Sequence, residues 1–562
     1  MSRLLCKRIR VNTKDCYCYS SAIIVSSRYL SSGTGERLRV AVVGGGCAGL
    51  SSALHLAPLV DAGIIASPID VYDTADSRKD REIGVGIWST ALDPFLATDR
   101  ASHQFVYDEM TSHGSWLGDV GYRTTNGKWL AKSRLPTSRE QCQEMSLPAL
   151  LFLREKDMLK ALQKAVHWEQ HRGTIQVHCD GDKTRVDGLY EESSQPWSTQ
   201  LLLKQQAKTE RDYHLIIAAD GTNSTLRKTY GGHDNVTRRL IGTQISPALT
   251  SPIDLPPVAS MDASWDELRQ QEATLLQDRG YTVFRGNAAL STAAIGSGSS
   301  VSFQTWGEGK SMRFATIPMF YPGPVPDKRE ERHVWFITTD DEEIIHEPDA
   351  AKRRAILLET FKEWHPEVCQ IVAATPPDEI LMERAVAHRH CMGPVLNTNK
   401  VIQQIRGKRP PNSGEGPCMV FMGDAYMTVD PILAQGFTLA MEGAFALRKS
   451  IEQSCIPFGQ DPSFAFDPFV LRRELQDRHD ARTDRMVCLL RATELVQALG
   501  QPTGAAGAFN TRVLRPLTRL LPNFIKRPFF DAVLKYSLGL SQGKSKAADP
   551  PPIVAKADDP KG

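Results

Sequence analysis

The sequence predicts a mixed α/β protein: a parallel β-α-β unit at its beginning, a second sheet in its middle and helices toward its end. Three observations carry this. The apolar, β-branched run Leu38-Arg39-Val40-Ala41-Val42-Val43 stops abruptly at Gly44-Gly45-Gly46-Cys47-Ala48-Gly49 and continues as the helix-like Leu50-Ser51-Ser52-Ala53-Leu54-His55-Leu56. A second strand is expected at Ile69 to Tyr72, closing on Asp73, which gives one right-handed strand-helix-strand crossover. Farther on, strand-like stretches at 201–204, 215–219, 301–305, 314–318 and 333–339 alternate with polar or helical ones, the pattern of a second sheet in a mixed chain.

Length and composition narrow the class. A chain of 562 residues is several times the usual single-domain length and is expected to divide into two closely packed domains. Its 67 basic and 65 acidic residues leave a formal charge of +2, which argues against a nucleic-acid partner. The eleven cysteines show no CxxC pair, so neither a metal site nor a disulfide framework is indicated. No run of about eighteen apolar residues exists, so no transmembrane segment is expected.

Both ends differ from the middle. Residues 1–34 carry Arg3, Lys7, Arg8, Arg10, Lys14 and Arg28 against the single acid Asp15, with many serines, which reads as an organellar transit peptide. Arg28-Tyr29-Leu30-Ser31-Ser32 resembles a mitochondrial cleavage region, so a mitochondrial location is expected, with a plastid as the alternative. Residues 250–280, rich in Pro, Asp and Glu, are expected to form a loop and then a helix. From Thr511 to Ser541, Leu, Phe and basic residues are interrupted by Pro516, Pro522 and Pro528, which reads as short amphipathic helices covering the core. Such helices leave peripheral contact with a membrane surface open. The charged, Pro-rich end reads as a disordered tail.

The first motif with chemical content is Gly44-x-Gly46-x-x-Gly49. The first glycine permits a tight turn, the second lets a diphosphate approach the backbone, and the third lets the helix pack against the strand. A diphosphate would then sit on a helix amino terminus, where unpaired N–H groups and the helix dipole favour negative charge. Asp73, 73 − 49 = 24 residues past the last glycine, would accept from ribose hydroxyls. This pattern alone leaves FAD and NAD(P) open.

Two more strand-to-turn segments follow. Leu215 to Ala219 runs into Asp220-Gly221, and Cys418 to Met422 runs into Gly423-Asp424. The latter leads through Asp430-Pro431-Ile432-Leu433-Ala434-Gln435-Gly436 into a long helix of small residues. A helix amino terminus there would stabilise negative charge on a reduced flavin ring.

These three segments, in this order, resemble the single-component FAD-dependent aromatic hydroxylases, the group A flavoprotein monooxygenases, over roughly residues 38–490. The resemblance implies a Rossmann-like FAD-binding domain with an inserted mixed-sheet substrate domain and C-terminal helices. On this scheme residues 35–240 and 401–490 form the FAD-binding domain, 241–400 mainly the substrate domain, 491–545 a helical region and 546–562 the tail. It implies that Asp220 and Gly221 lie near the FAD diphosphate and the path of the nicotinamide cofactor. Gly423 and Asp424 would meet the ribityl chain, Pro431, Gln435 and Gly436 the flavin ring, and Arg154 the FAD. Arg285-Gly286 and Trp306-Gly307 look like landmarks of the substrate sheet, although packing is the plainer reading of each alone.

The activity so implied is hydroxylation of an aromatic or isoprenoid small molecule, with NADPH or NADH as co-substrate and O2 as oxidant. The flavin carries the chemistry, so no side chain is assigned as catalytic. The alternatives are a related flavoprotein reductase, epoxidase or halogenase, or a flavin-binding assembly protein without turnover. The last is prompted by two departures from the family pattern: Tyr426-Met427 stands where Ala-His is usual, and Ala434 replaces a glycine.

Overall fold

A computed structural model of the chain describes residues 37–74, 82–190, 197–204, 207–231, 276–294, 301–307, 312–322, 329–388, 391–405, 416–455, 466–500 and 521–540. The expected transit segment, the tail, most of 250–280 and, of 511–541, residues 511–520 and 541 lie outside these residues.

Among the described residues, five strands form a wholly parallel sheet in the order Cys418–Phe421, Leu215–Ala218, Val40–Val43, Ile69–Tyr72, Ile175–His178. Its strands Leu215–Ala218 and Val40–Val43 are apolar at every position because both faces are covered. Val40, Val42, Leu215, Ile217 and Val420 face one core with the helices Cys47–Asp61, Glu155–His171 and Gly436–Cys455. Ala41, Val43, Ile216, Met419 and Phe421 face a second core. That core is closed by the helices Thr398–Ile405 and Pro468–Gly500 and by the ribbon of Val186–Leu189 with Leu201–Leu203.

The second sheet has seven strands in the order Leu381–Ala387, Gln277–Ala288, Arg329–Thr339, Arg313–Pro322, Ser302–Trp306, Asp119–Thr124, Trp129–Arg134. Its last two strands come from the first 240 residues of the chain. All pairings are antiparallel except that of Ser302–Trp306 with Asp119–Thr124. Side chains alternate along these strands, so the sheet has two different faces. Phe284, Phe303, Phe314, Trp335 and Ile337 pack against the helices Ala350–Thr360 and Pro366–Ala373. Val283, Arg285, Arg313, Ala315 and Phe336 face a cavity between this sheet and the first one. A small sheet of Gly84–Trp88, Leu150–Arg154 and Ser115–Trp116 joins the two bodies.

The carboxy-terminal segment departs from the expected short helices at one point. Asn523–Ser537 is a single helix that runs through Pro528, forgoing one backbone hydrogen bond rather than ending there. It packs on the helix Pro468–Gly500 and on the strand Trp129–Arg134, where Lys526 Nζ donates to the Leu130 carbonyl at 2.7 Å. Of the stretch expected to be loop and helix at 250–280, the last four residues begin the strand Gln277–Ala288.

The helical layer over the parallel sheet is locked by a buried ion pair. Glu169, 1 % exposed, accepts from Arg100 Nε at 2.7 Å, from Thr174 Oγ1 at 2.6 Å and from Ser102. Burial alone would raise the pKa of this carboxyl, but the hydrogen bonds and the Arg100 charge outweigh it and lower the value to about 2. A carboxyl with a depressed pKa in the folded state stabilises above its unfolded pKa, near 4.5, and loses that contribution as pH falls toward 2. Glu169→Gln should cost about 3 kcal/mol at pH 7. In urea unfolding series its stability should also fall less steeply than the parent's between those two pH values; parallel curves would contradict this.

Candidate active site

The parallel sheet brings three sequence motifs to one place. Val40–Val43, Leu215–Ala218 and Cys418–Phe421 are adjacent and point the same way, so the turns at Gly44, at Asp220-Gly221 and at Gly423-Asp424 leave the same edge. Gly44 has φ +103°, and a Cβ there would lie 2.3 Å from the Ala219 carbonyl oxygen. A Cβ on Gly49 would lie 1.8 Å from the Gly44 carbonyl oxygen, which is how closely helix and turn approach. Gly46 differs: a Cβ would meet nothing within 4 Å, and the residue lines the cavity.

Asp73 holds this turn in shape, its Oδ1 accepting from Gly45 N at 3.1 Å. The helix Cys47–Asp61 starts with no side-chain cap and no acid in its first turn. Its first amides lack intrahelical acceptors and open where Gly46, Cys47 and Ala48 line the cavity. Burial pushes the Cys47 thiol up to about 12, so it adds no negative charge there.

The other two motifs form the neighbouring wall. Gly221, Gly423 and Asp424 line the cavity. Asp424 Oδ2 accepts from Thr222 Oγ1 at 2.8 Å, and burial pushes the pKa of Asp424 up. Asp220 serves instead as a cap: its Oδ2 accepts from Thr225 N at 2.8 Å and Leu226 N at 3.3 Å at the start of the helix Thr225–Tyr230.

The segment after Asp424 is fixed by a buried acid that the sequence reading had not placed. Asp430, 3 % exposed, accepts from Tyr281 OH at 2.7 Å, Ile432 N at 3.0 Å and Arg279 Nε at 3.1 Å. This ties the Pro431–Leu433 turn to the second sheet and presents Pro431, Ala434 and Gly436 to the cavity. The helix Gly436–Cys455 also lacks an acid in its first turn, so two helix amino termini converge on one space.

Two expected contacts are placed differently. The Gln435 side chain is directed at Arg485, which donates to it at 2.8 Å, and at Ser537, 3.2 Å away. Arg154 binds Asp157 at 2.5 Å and Glu82 at 3.4 Å and lies over the Tyr321 ring. Neither side chain is among those lining the cavity.

The departures at Tyr426-Met427 fall beneath the site, in the second core. Tyr426 OH is 3.5 Å from Thr483 Oγ1, and Met427 Sδ is 3.3 Å from Cys391 Sγ.

The cavity, about 500 Å³, is closed on its far side by the second sheet. Tyr122, Gln304 and Trp306 line it together with Arg285 and Arg313. Leu495, Phe529 and Leu534 of the carboxy-terminal helices complete the wall, with Leu495 and Phe529 exposed at its mouth. The sequence reading had missed Arg313; its signal was a lone cation in register with Ala315 and Ile317 on an otherwise apolar strand. Among the described residues, no cluster of His, Cys, Asp or Glu is placed to hold a metal, and no helix is long and apolar enough to cross a membrane.

No protein-family profile matches the chain, and no curated protein matches it. Solved structures do. HpxO of Klebsiella pneumoniae, complexed with FAD and uric acid, aligns with a TM-score of 0.57 at 17% identity, over 89% of this chain and 97% of its own. The 2,6-dihydroxypyridine-3-hydroxylase of Arthrobacter nicotinovorans aligns with 0.51 at 14% identity, over 84% and 96%. PqsL of Pseudomonas aeruginosa, described as a probable FAD-dependent monooxygenase, aligns with 0.51 at 13% identity, over 82% and 96%. The α/β fold expected from the sequence is therefore the fold observed, and it is shared with these flavoproteins.

Ala434 gives a local test of the turn geometry. It occupies the left-handed region at φ +51°, where a Cβ is strained, at the position where the sequence pattern usually has glycine. Ala434→Gly should relieve that strain and stabilise the protein by up to about 1 kcal/mol, read as a higher urea midpoint, because the relief exceeds the added chain entropy. A lower midpoint would show that the alanine methyl contributes packing greater than the strain.

Proposed function

We propose that this protein is an FAD-dependent monooxygenase that uses NAD(P)H and O2 to hydroxylate an aromatic or isoprenoid small molecule. The observation that carries the proposal is the uncapped, acid-free helix start at Gly46 opening on the same cavity as Asp424 and the Pro431–Gly436 turn. Its open space at Gly46 and its unfilled amides fit a dinucleotide diphosphate. The likeness to HpxO, complexed with FAD and uric acid, supports the same reading. The basic, serine-rich residues 1–34 support a mitochondrial location.

In this reading the amides of Gly46 to Ala48 would hold the diphosphate, Asp73 the adenosine ribose and Asp424 the ribityl hydroxyls. The amino terminus of the helix Gly436–Cys455 would favour negative charge on the ring edge beside it. When bound, FAD supplies hydride acceptance from NAD(P)H and activation of O2 for transfer of one oxygen atom to the substrate. The protein's part is to bind, orient and exclude water. The apolar wall of Val283, Ala315, Ile317 and Phe336 does the last, and no side chain need act as a nucleophile.

Gly46 offers a clean test because nothing in the protein obstructs a side chain there. Gly46→Val should fold with a melting temperature near the parent's, yet bind FAD at least about a hundredfold more weakly, since the branched side chain occupies the approach to the amides. The parent should show visible flavin absorption that bleaches on anaerobic NADPH addition. A parent that cannot take up FAD would sink the proposal. Bleaching followed by O2 uptake without a hydroxylated product would redirect it to a related reductase, epoxidase or halogenase.

A further inference from the structure

Among the buried and partly buried arginines of the seven-stranded sheet, Arg123, Arg279 and Arg285 have carboxylate partners. Arg123 Nη1 donates to Glu367 at 2.5 Å and its guanidinium lies over the Trp129 and Phe303 rings. Arg285 Nε stands 3.2 Å from Glu383. Arg313, only 8 % exposed, has neither a hydrogen bond nor an ion pair from its side chain among the described residues, and its Nη1 is fully buried without an acceptor. A guanidinium stays charged even when buried, and leaving it uncompensated costs several kcal/mol.

Its surroundings do not remove that cost. Arg313 lies opposite Trp306 and Thr338 on the neighbouring strands and faces the cavity with Ala315 and Ile317. Tyr281, Asp430 and Tyr122 act on it electrostatically, but Asp430 is already held by Arg279, Tyr281 OH and the Ile432 amide. Burial pushes the Arg313 pKa down, which is the mark of a cation short of negative charge. Gln304 and Tyr122, which are paired across adjacent strands, line the same cavity.

We propose that Arg313 is the anion anchor of this cavity, and that the substrate is an acidic compound whose carboxylate, or a group of equivalent charge and shape, seats on the Arg313 guanidinium while its apolar body lies along Ala315, Ile317 and Phe336. This rests on reading the cavity as the substrate chamber. An arginine is suited to the task because its planar fork meets a carboxylate with two parallel hydrogen bonds. The anchor sets substrate class: an acid is retained, and its uncharged amide or ester leaves the guanidinium unpaired and is rejected.

The test uses the full chain with two probes of one shape, benzoate and benzamide, and titrates the melting temperature against each. Benzoate should bind roughly tenfold or more tightly than benzamide. Arg313→Gln should lose that preference while melting no lower than the parent in the absence of probe, because it removes an uncompensated charge rather than a structural bond. Arg313→Lys, a second variant in case the glutamine does not fold, should keep the preference at reduced affinity. Equal binding of both probes, binding of neither, or a preference that survives in Arg313→Gln would overturn the proposal. Flavin absorption recorded on the same samples separates the two readings: selectivity without flavin sinks the cofactor reading alone, and flavin without selectivity sinks the anchor alone.

Discussion

The start of the helix Cys47–Asp61 is the constraint from which the rest of the site follows. A helix begins with amides that no intrahelical carbonyl can take, and a protein normally covers them with a Ser, Thr, Asp or Asn side chain. Here Gly46 stands at the cap with no side chain to offer, and Gly44 and Gly49 bring the helix so close to the sheet that no other residue fits. The uncovered amides are tolerable because they open on a cavity rather than on apolar core. The parallel order of the strands then matters, because it delivers Gly221 and Asp424 to the same edge.

The second sheet answers that edge from across the cavity. Its alternation sorts aromatic side chains such as Trp335 and Phe314 to one face, under helices, and leaves Val283, Ala315 and Phe336 on the other. Asp430 couples the two bodies, since its hydrogen bonds join the Pro431–Leu433 turn to Tyr281 and Arg279 of that sheet. A carboxylate so fully engaged fixes where Pro431 and Gly436 stand relative to the sheet wall. The site is thus built by one parallel sheet, one wall from the mixed seven-stranded sheet and a buried acid that sets the distance between them.

How much of this the sequence disclosed depended on the range of the interaction involved. The glycine turn, Asp73 and the strands before Asp220 and Asp424 were legible because each is a local pattern with a local physical cause, a strand that must end in a turn of special geometry. Ala434 was visible as a departure, and the structure gives its cost, a left-handed alanine. The destinations of long side chains were not legible. Arg154 and Gln435 stand at the expected places along the chain, but Asp157, Glu82, Arg485 and Ser537 direct their heads elsewhere, and such partners are set by packing. Nor could local pattern show that the strands at 119–134 cross into the second sheet, or that Phe529 and Leu534 of the last helix reach the cavity. Arg313 lay between these cases: its position on an apolar strand was readable, but its lack of a partner is a property of the folded neighbourhood alone.

The most direct test of the account is an experimental structure of the protein with FAD added. The account predicts the diphosphate against the amides of Gly46, Cys47 and Ala48, the ribityl chain beside Asp424, and the ring between the Pro431–Gly436 turn and the face of the second sheet that carries Ala315 and Phe336. A flavin bound elsewhere, or a cavity that remains closed to it while Gly46 stays uncovered, would contradict it.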